Sequence, residues 1–199
     1  FDTILDTKNH GAPQRRTRWY CVGIRNDRSI DKKVHFEFPA SLAVTPPLDN
    51  FLDQLHCRPT YPLPHTALDG PSLQNINEQI SQIRAEDGCD PSLQPYVIHC
   101  DASTYRAAYM YNKSPCLTRS RSRGHWLTHK GRFMTINEML RLQGFDPSQI
   151  DRSHISDEAM GKLIGNAMSV NVLERLFPNA LRAAQLLRGG EPAGQMGSG

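Results

Sequence analysis

Apolar and polar positions alternate or recur at helical spacing along most of this chain, and these patterns predict its secondary structure. Short apolar or alternating segments predict β-strands over residues 1–5, 18–24, 34–38 and 96–100. Apolar residues three or four positions apart predict helices over residues 48–55, 72–88, 135–143 and 156–165. Residues 168–177 and 178–188 predict two helical pieces, because Pro178 cannot continue a helical hydrogen-bond ladder but can begin a new helix.

Residues that favour helix ends support these limits. Ser72 and Ser156 are suited to cap the helices that follow them, because a serine hydroxyl can accept a hydrogen bond from a free backbone amide. Thr135 and Glu138 have the spacing of a capping box, in which each side chain bonds the backbone amide of the other residue. Gly165 is suited to end the helix that Ser156 begins.

Composition indicates a soluble globular protein of 199 residues with a net charge of +3. Five cysteines at irregular spacing, without a Cys-x-x-Cys pair, fit a reducing compartment better than a disulfide framework. The sequence contains no apolar stretch long enough to span a bilayer and no signal peptide, so we expect an intracellular protein without membrane contact. Because the first residue is phenylalanine, we also expect the chain to be a piece of a longer protein.

Metal chemistry is not predicted. His125 and His129 have the spacing of two metal ligands on one face of a helix, and adjacent His-Cys pairs occur at residues 56–57 and 99–100. No second set of ligands recurs at a fixed distance from any of these pairs, so the sequence predicts no zinc site.

One segment of the chain is basic without compensating acids. Residues 105–137 contain no Asp or Glu and carry seven cations: Arg106, Lys113, Arg119, Arg121, Arg123, Lys130 and Arg132. Such a segment is typical of a surface that faces phosphates, but it also fits a plain solvated loop. The alternation of Arg and Ser over residues 119–123 leaves a third interpretation, an RNA-binding Arg/Ser segment.

A second cationic pattern lies near the start of the chain. If residues 14–18 are extended, Gln14, Arg16 and Arg18 project from one face of the backbone. Two guanidinium groups and an amide suit an anionic or carbonyl-rich ligand, because arginine offers a planar fork of donors. The alternative is an exposed strand edge that its charges protect from pairing.

Three segments together resemble the last third of a DNA (cytosine-5) methyltransferase. Gly11–Arg18, followed by the apolar run Trp19–Ile24, is similar to the family's eighth block, Gly-x-Pro-Gln-x-Arg-x-Arg. Residues 132–145 match the ninth block, with Arg-x-Met-Thr-x-x-Glu followed by Leu-Gln-Gly-Phe, and Gly165–Val170 resembles the tenth. The order and spacing of the three segments follow the family.

The resemblance implies roles for individual residues. Arg18 would reach a cytosine flipped out of double-stranded DNA, Arg16 would support the active site and a nearby phosphate, and Gln14 would fix the loop. Asn166, together with Ala167, would contact the methionyl part of the cofactor S-adenosyl-L-methionine. The cations expected to contact DNA are Arg119, Arg121, Arg123, Lys130 and Arg132.

The resemblance also shows what the chain lacks. In this family a Pro-Cys nucleophile, a Gly-rich cofactor turn and a Glu that bonds the cytosine all precede the eighth block, and none of them is found here. Pro115 and Cys116 come about a hundred residues too late, so we expect Cys116 to be a loop cysteine. The chain is therefore expected to be inactive alone and to need an N-terminal catalytic half.

The implied fold class is α/β: the last strands of a Rossmann-like methyltransferase sheet joined to an irregular α+β target-recognition domain. Residues 1–25 would end the catalytic domain, 26–155 would form the target-recognition domain, 156–188 would be helices packing back on the catalytic domain, and 189–199 a disordered tail. Residues 56–114 align with nothing in the family. Three hypotheses remain: a fragment of a single-chain methyltransferase, a separate DNA-binding subunit of a split enzyme, or an RNA-binding module without methylation activity.

Overall fold

The computed structural model describes residues 1–25, 34–54, 59–64, 70–101 and 108–187. The described strands are β1 (Asp2–Asp6), β2 (Thr17–Cys21), β3 (Tyr96–His99), β4 (Ala108–Tyr111), β5 (Trp126–Leu127) and β6 (Arg132–Phe133). The described helices are α1 (Pro71–Asp87), α2 (Ile136–Leu142), α3 (Asp157–Asn166) and α4 (Val170–Ala183). Within these residues, no helix is long and apolar enough to cross a lipid bilayer. The predicted tail, 189–199, lies outside the described residues.

Strands β1 and β2 pair as an antiparallel hairpin in which Ile4 faces Trp19. The Asp6 carboxylate closes the hairpin, because it accepts hydrogen bonds from the backbone amide of Arg16 at 3.0 Å and from the Thr17 hydroxyl at 3.0 Å. Helix α4 packs on this hairpin through a small apolar cluster of Tyr20, Val172 and Leu176, flanked by residues of the extended segment 34–38. The hairpin and the C-terminal helix therefore form one unit.

Besides the hairpin, the described strands form a four-stranded antiparallel sheet in the order β4-β3-β5-β6. Helix α1 covers one face of the sheet and packs its apolar side on Ile98, Cys100 and Trp126. The opposite face contributes Val97 and Leu127 to the largest core cluster, which also holds the apolar residues of α2 and α3. This face of the sheet is therefore joined directly to the helices that lead back toward the hairpin.

The local signals of the sequence are borne out at several helix ends. Thr135 accepts from the amide of Glu138, and Glu138 accepts from the amide of Thr135, so the predicted capping box is confirmed. The Ser156 hydroxyl caps α3 as predicted, by accepting from the amide of Ala159. The helix predicted over residues 72–88 is confirmed as α1.

Other predictions were wrong in informative ways. Gly70 rather than Ser72 caps α1, since the Ser72 hydroxyl donates to Asp101 instead. The alternating segment 34–38 is not a strand, because its half-buried residues pack on α4 without pairing to another backbone. Residues 48–55 were expected to be a helix, but of the described residues 48–54 only Leu48–Phe51 forms a short 3-10 turn, and residue 55 lies outside the described residues. Helix α4 continues through Pro178 as one helix, since its apolar contacts with the hairpin anchor the turns before the proline.

Two glycines of α3 let the loop after Leu117 lie directly on the helix. A Cβ built at Gly161 would overlap the backbone of Ser122, and one built at Gly165 would overlap the backbone of Thr118 and Arg119. Glycine is required at both positions because the neighbouring atoms belong to backbone and cannot rotate away.

We expect Gly161→Ala to destabilise the protein by about 1–2 kcal/mol in urea denaturation, because overpacking against backbone outweighs the ~1 kcal/mol that alanine gains in a helix. Gly23→Ala is the control, since a Cβ at Gly23 would meet no atom within 4 Å. Equal stability of the two variants would show that the loop does not rest on α3 as described.

Candidate functional site

The guanidinium of Arg16 joins three separate parts of the chain. Arg16 is only 4% exposed. Its Nη1 donates to the carbonyl of Leu117 at 2.5 Å, and its Nη2 donates to the carbonyls of Gly165 at 3.2 Å and Ala167 at 2.6 Å. Because a guanidinium presents donors in two directions within one plane, this single side chain ties the backbone just before β2 to the loop at Leu117 and to the corner between α3 and α4. Burial lowers the pKa of Arg16 below its usual value, and the charge of Arg18 adds to that effect.

Gln14 fixes the loop that precedes β2. Its side chain is fully buried, and its Nε2 donates to the carbonyl of Leu142 at the end of α2, at 3.3 Å. The backbone of Gln14 forms a parallel bridge with Ser114, with Ser114 donating to the Pro13 carbonyl at 2.7 Å and Arg15 donating to the Ser114 carbonyl at 2.9 Å. The loop and the segment around Ser114 are thus held side by side.

Arg18 lies on the exposed side of the same hairpin. Its Nη1 donates to the carbonyl of Thr17 at 2.8 Å, and its Nη2 lies 3.3 Å from the sulfur of Cys116. The Cys116 sulfur also lies 3.4 Å from Nη1 of Arg16. The half-buried thiol is therefore placed between the two guanidinium groups that the sequence singled out.

Cys116 is the residue whose surroundings sequence reasoning missed. The expectation of a plain loop cysteine rested on its late position in the chain, which is a correct argument about order along the sequence. The bridge between Gln14 and Ser114 carries Cys116 back to the hairpin, and this bridge has no recognisable sequence signal. A thiol two residues beyond a bridge partner of the Gln14 loop could be found only from the fold.

The corner between α3 and α4 differs from its predicted form. Asn166, not Gly165, is the last residue of α3, and α4 begins only at Val170. The amide of Ala167 donates to the carbonyls of Leu163 and Ile164, while the amide of Val170 donates to the carbonyl of Gln143 at 2.8 Å. These backbone amides are therefore not open to a ligand, but the exposed side chain of Asn166 is.

Arg16 brings this corner close to Arg18. Its guanidinium contacts the residues on both sides of Asn166, and it shares the Cys116 thiol with Arg18. Buried Gln143 reinforces the arrangement, since its Nε2 donates to the carbonyl of Ile164 at 3.0 Å. Arg18 and Asn166 thus lie around one buried cation although 148 positions separate them in sequence.

Three of the five cations predicted to contact DNA have partners inside the protein. Arg121 Nε donates to His99 Nε2 at 2.6 Å. Arg123 pairs with Asp101 at 2.6 Å and lies 4.3 Å from the centre of the Phe133 ring.

Arg132 is the third of these cations. It forms a two-pronged ion pair with fully buried Glu138, at 2.9 and 2.7 Å. Arg119 is exposed and Lys130 is half-exposed, and the described contacts give neither side chain a partner. The basic segment therefore contains cations that hold the sheet and helices together as well as cations that face solvent.

The histidines of this region, His99, His125 and His129, are buried or half-buried, and burial is the main cause that lowers the pKa of each. Burial is the main cause that lowers the pKa of His125 to about 3, and neighbouring His99, 5.1 Å away between ring centres, adds to it. His129 does not meet His125 but pairs with Asp49 at 2.8 Å. In the part of the chain that the structure describes, no group of three His, Cys, Asp or Glu residues could hold a metal ion.

Comparison with known proteins gives a consistent result. The family model described as C-5 cytosine-specific DNA methylase matches residues 2–182. The type II methyltransferase M.HaeII of Haemophilus aegyptius is 28% identical over 94% of this chain and 52% of its own length. The type II methyltransferase M2.ScrFI of Lactococcus lactis subsp. cremoris is 23% identical over 90% of this chain and 44% of its own length. This chain therefore spans about half the length of the curated relatives it matches.

The fold is also similar to part of a solved structure. The crystal structure of the S. pombe Dnmt2 methyltransferase aligns with 92% of this chain and 57% of that chain, with a TM-score of 0.50 and 16% sequence identity. The predicted fold class, part of a methyltransferase α/β fold with an irregular α+β region, is confirmed by this likeness.

Arg16→Lys is expected to destabilise the protein by about 3 kcal/mol or more, because one ammonium cannot reach all three carbonyl groups and leaves buried acceptors unpaired. Arg18→Lys is the matched control at an exposed position, where a change within about 0.5 kcal/mol is expected. Urea denaturation of the two variants measures the difference in their free energies of unfolding. Similar decreases in both variants would show that Arg16 does not hold these parts of the chain together.

Acid should weaken the fold through His125. The unfolded pKa is near 6.5 and the folded pKa is about 3, so the folded state binds fewer protons and stability falls as pH drops from 6.5 toward 3. Since one pKa unit corresponds to about 1.4 kcal/mol, this residue should account for roughly 4–5 kcal/mol across that window.

His125→Gln keeps a hydrogen-bond donor but cannot take up a proton. We expect the free energy of unfolding of this variant to depend less on pH between 6.5 and 4 than that of the wild type, as measured by urea denaturation at several pH values. Parallel pH profiles for the two proteins would exclude His125 as the cause.

Proposed function

Because this chain belongs to the C-5 cytosine-specific DNA methylase family, we propose that it forms the DNA-reading portion of a DNA (cytosine-5) methyltransferase. In this proposal it binds duplex DNA, holds the target cytosine after it leaves the stack, and completes the cofactor pocket. The observation that carries the proposal is the Arg16 guanidinium, which gathers the Arg18 hairpin, the Cys116 loop and the Asn166 corner around one point.

Arg18 is the residue proposed to meet the base. Its guanidinium lies on the exposed side of the hairpin, next to the Cys116 thiol. The N–H groups of a guanidinium can donate to the ring carbonyl of cytosine, and their positive charge stabilises electron density that develops on that oxygen during reaction. Arg16 is proposed to act indirectly, by fixing the strand on which Arg18 stands, and Gln14 by fixing the preceding loop.

The corner residues fit the cofactor in part. S-adenosylmethionine supplies the methyl group when it is bound. The exposed amide side chain of Asn166 can bond the polar end of such a molecule. Ala167 can offer only its methyl group, because its amide donates to the carbonyls of Leu163 and Ile164 and its carbonyl accepts from Arg16.

The nucleophile and most of the cofactor pocket are proposed to come from an N-terminal catalytic half, on the same polypeptide or on a partner chain. The relatives are about twice as long as the matched region. Large apolar side chains are exposed on the elements that would adjoin the missing half, including the cross-strand pair Ile4 and Trp19 and Phe177 of α4, each more than half exposed. An apolar surface of this kind is typical of an interface that has not been covered. Alone, the chain is proposed to be inactive.

We propose that residues 1–25 end the catalytic domain and that residues 26–155 form the target-recognition domain. Residues 156–188 are proposed to be helices that pack back on the catalytic domain. Contact with DNA phosphates is proposed for Arg119 and Lys130, with smaller direct contributions from Arg121, Arg123 and Arg132, whose side chains already have partners in the protein. The protein is proposed to be intracellular and associated with DNA.

An RNA-binding Arg/Ser module is less well supported. Such a segment would be free to fold around single-stranded RNA, whereas this loop packs tightly on Gly161 and Gly165 of α3. Arg121 and Arg123 bond residues of the sheet region rather than facing solvent alone.

Arg18→Ala is expected to lower kcat/KM for methyl transfer to duplex DNA by about 100-fold, the effect of removing one donor to a developing charge. The assay measures transfer of a radiolabelled methyl group by this chain combined with its catalytic half. Arg182→Ala, an exposed arginine on α4, is the matched control and should be without effect.

Cys116→Ser tests the nucleophile directly. Because a serine hydroxyl can accept from both arginines, we expect activity within about tenfold of wild type. Loss of all activity in this variant, or transfer by this chain without a catalytic half, would overturn the proposed division of roles.

A further inference from the structure

The guanidinium of Arg123 is held in a fixed orientation although half of its side-chain surface is exposed. Its Nε and Nη2 donate to the two carboxylate oxygens of Asp101 at 3.2 and 2.6 Å, and Nη2 also donates to the Ser72 hydroxyl at 2.8 Å. The guanidinium carbon lies 4.3 Å from the centre of the Phe133 ring. Because these three partners lie in α1, just after β3 and in β6, three parts of the fold orient one side chain.

The groups that hold Arg123 are themselves held. Asp101 accepts a further hydrogen bond from the Ser72 hydroxyl at 2.9 Å. The Phe133 ring packs at right angles on buried Trp126, with 5.3 Å between the ring centres. A side chain oriented in this way loses little conformational entropy when it binds a ligand.

One end of this guanidinium remains available to a ligand. Within the described residues, Nη1 of Arg123 has no hydrogen-bond partner. Arg123 lines a cavity of about 660 Å³, which lies between the loop around Ser122, β6 and the first turn of α3. This volume is within the range of protein sites that bind small groups.

The charges that line the cavity favour the edge of a base over a phosphate. The lining contains one guanidinium, that of Arg123, and three carboxylates, those of Asp101, Asp157 and Glu158. A phosphate in this cavity would meet more negative than positive charge. A neutral base edge avoids this repulsion and can still accept a hydrogen bond from Arg123.

Guanine is the base whose edge matches the available donor. Nη1 of Arg123 carries two N–H groups and has no acceptor. In the major groove guanine presents two neighbouring acceptors, O6 and N7, whereas adenine presents an acceptor beside a donor. Thymine presents one acceptor beside a methyl group, and cytosine presents a donor. Only guanine can therefore accept from both N–H groups.

We propose that Arg123 determines sequence specificity by donating to the major-groove edge of one guanine in the DNA site that this chain recognises. This inference rests on the proposed function and names one base of its substrate. Because Asp101 offsets the charge of Arg123, the contact adds selectivity between sequences but little salt-dependent attraction to the duplex. Exposed Arg119, without such a carboxylate, is expected to do the reverse.

The test methylates a library of duplexes with randomised sequence, using this chain combined with its catalytic half, and sequences the products after bisulfite treatment. At one position near the methylated cytosine the wild type should prefer guanine by about 10- to 100-fold, the discrimination expected of a good arginine–guanine contact. R123A should lose this preference and keep those at other positions. Binding of a labelled duplex should keep nearly the same slope of log affinity against log salt in R123A.

R119A is the matched control, an arginine of the same loop. Its salt slope should be shallower by about 0.9 than that of the wild type, and its base preferences should not change. Thermal melting checks that each variant is folded. Should R123A be unfolded, D101N takes its place, because the amide cannot accept from both Nε and Nη2 while donating, and the guanine preference should fall about fivefold or more.

A folded R123A with every base preference of the wild type would overturn the assignment while leaving the proposed function intact. A slope shallower by about 0.9 in R123A, with unchanged preferences, would show a phosphate contact and also overturn it. A wild type without any guanine preference near the methylated cytosine would do the same. Absence of methyl transfer by the wild type combined with its catalytic half would instead overturn the proposed function, and the assignment with it.

Discussion

One buried guanidinium, that of Arg16, sets the geometry on which the rest of the site depends. Hydrophobic packing forms three clusters, which join the hairpin to α4, α1 to the sheet, and the sheet to α2 and α3, but none of them joins the hairpin to α3 or to the loop at Leu117. Arg16 does so through directional bonds to carbonyl groups that lie about 100 and 150 positions away in sequence. Because these carbonyls would otherwise be buried without a donor, the bonds from Arg16 also favour a single arrangement of the hairpin, the loop at Leu117 and α3.

Features of the fold that depend on neighbouring residues could be predicted from the sequence, and those that depend on distant residues could not. The capping box at Thr135 and the helix ending near Gly88 rest on local chemistry, and both are present. Strands β5 and β6 have two residues each, too few for an alternating pattern to appear. The alternation at residues 34–38 arises because one side of this extended segment is buried against α4. A strand and an unpaired extended segment produce the same alternation, so the pattern alone could not distinguish them.

The candidate site also combines features that the sequence could predict with features that depend on residues distant in the chain. The family pattern singled out Gln14, Arg16, Arg18 and Asn166, because the motif fixes their chemistry and their order along the chain. It could not indicate that Cys116 lies between the two arginines, or that Asp101 and Glu138 neutralise part of the basic segment. A count of charges in a sequence window records cations but not their partners, and only the fold separates structural arginines from those free to bind a phosphate.

The closeness of Arg16 and Arg18 explains why this place favours an electron-rich group. Both guanidinium groups approach the Cys116 sulfur, and the charge of Arg18 lowers the pKa of Arg16 further below the value that burial has already lowered. Three carbonyl oxygens accept from Arg16, whereas Arg18 donates to one carbonyl, approaches the Cys116 sulfur and is exposed to solvent. The uncompensated part of the positive field therefore lies on the Arg18 side, and a polarised carbonyl oxygen placed there would relieve the repulsion between the two cations.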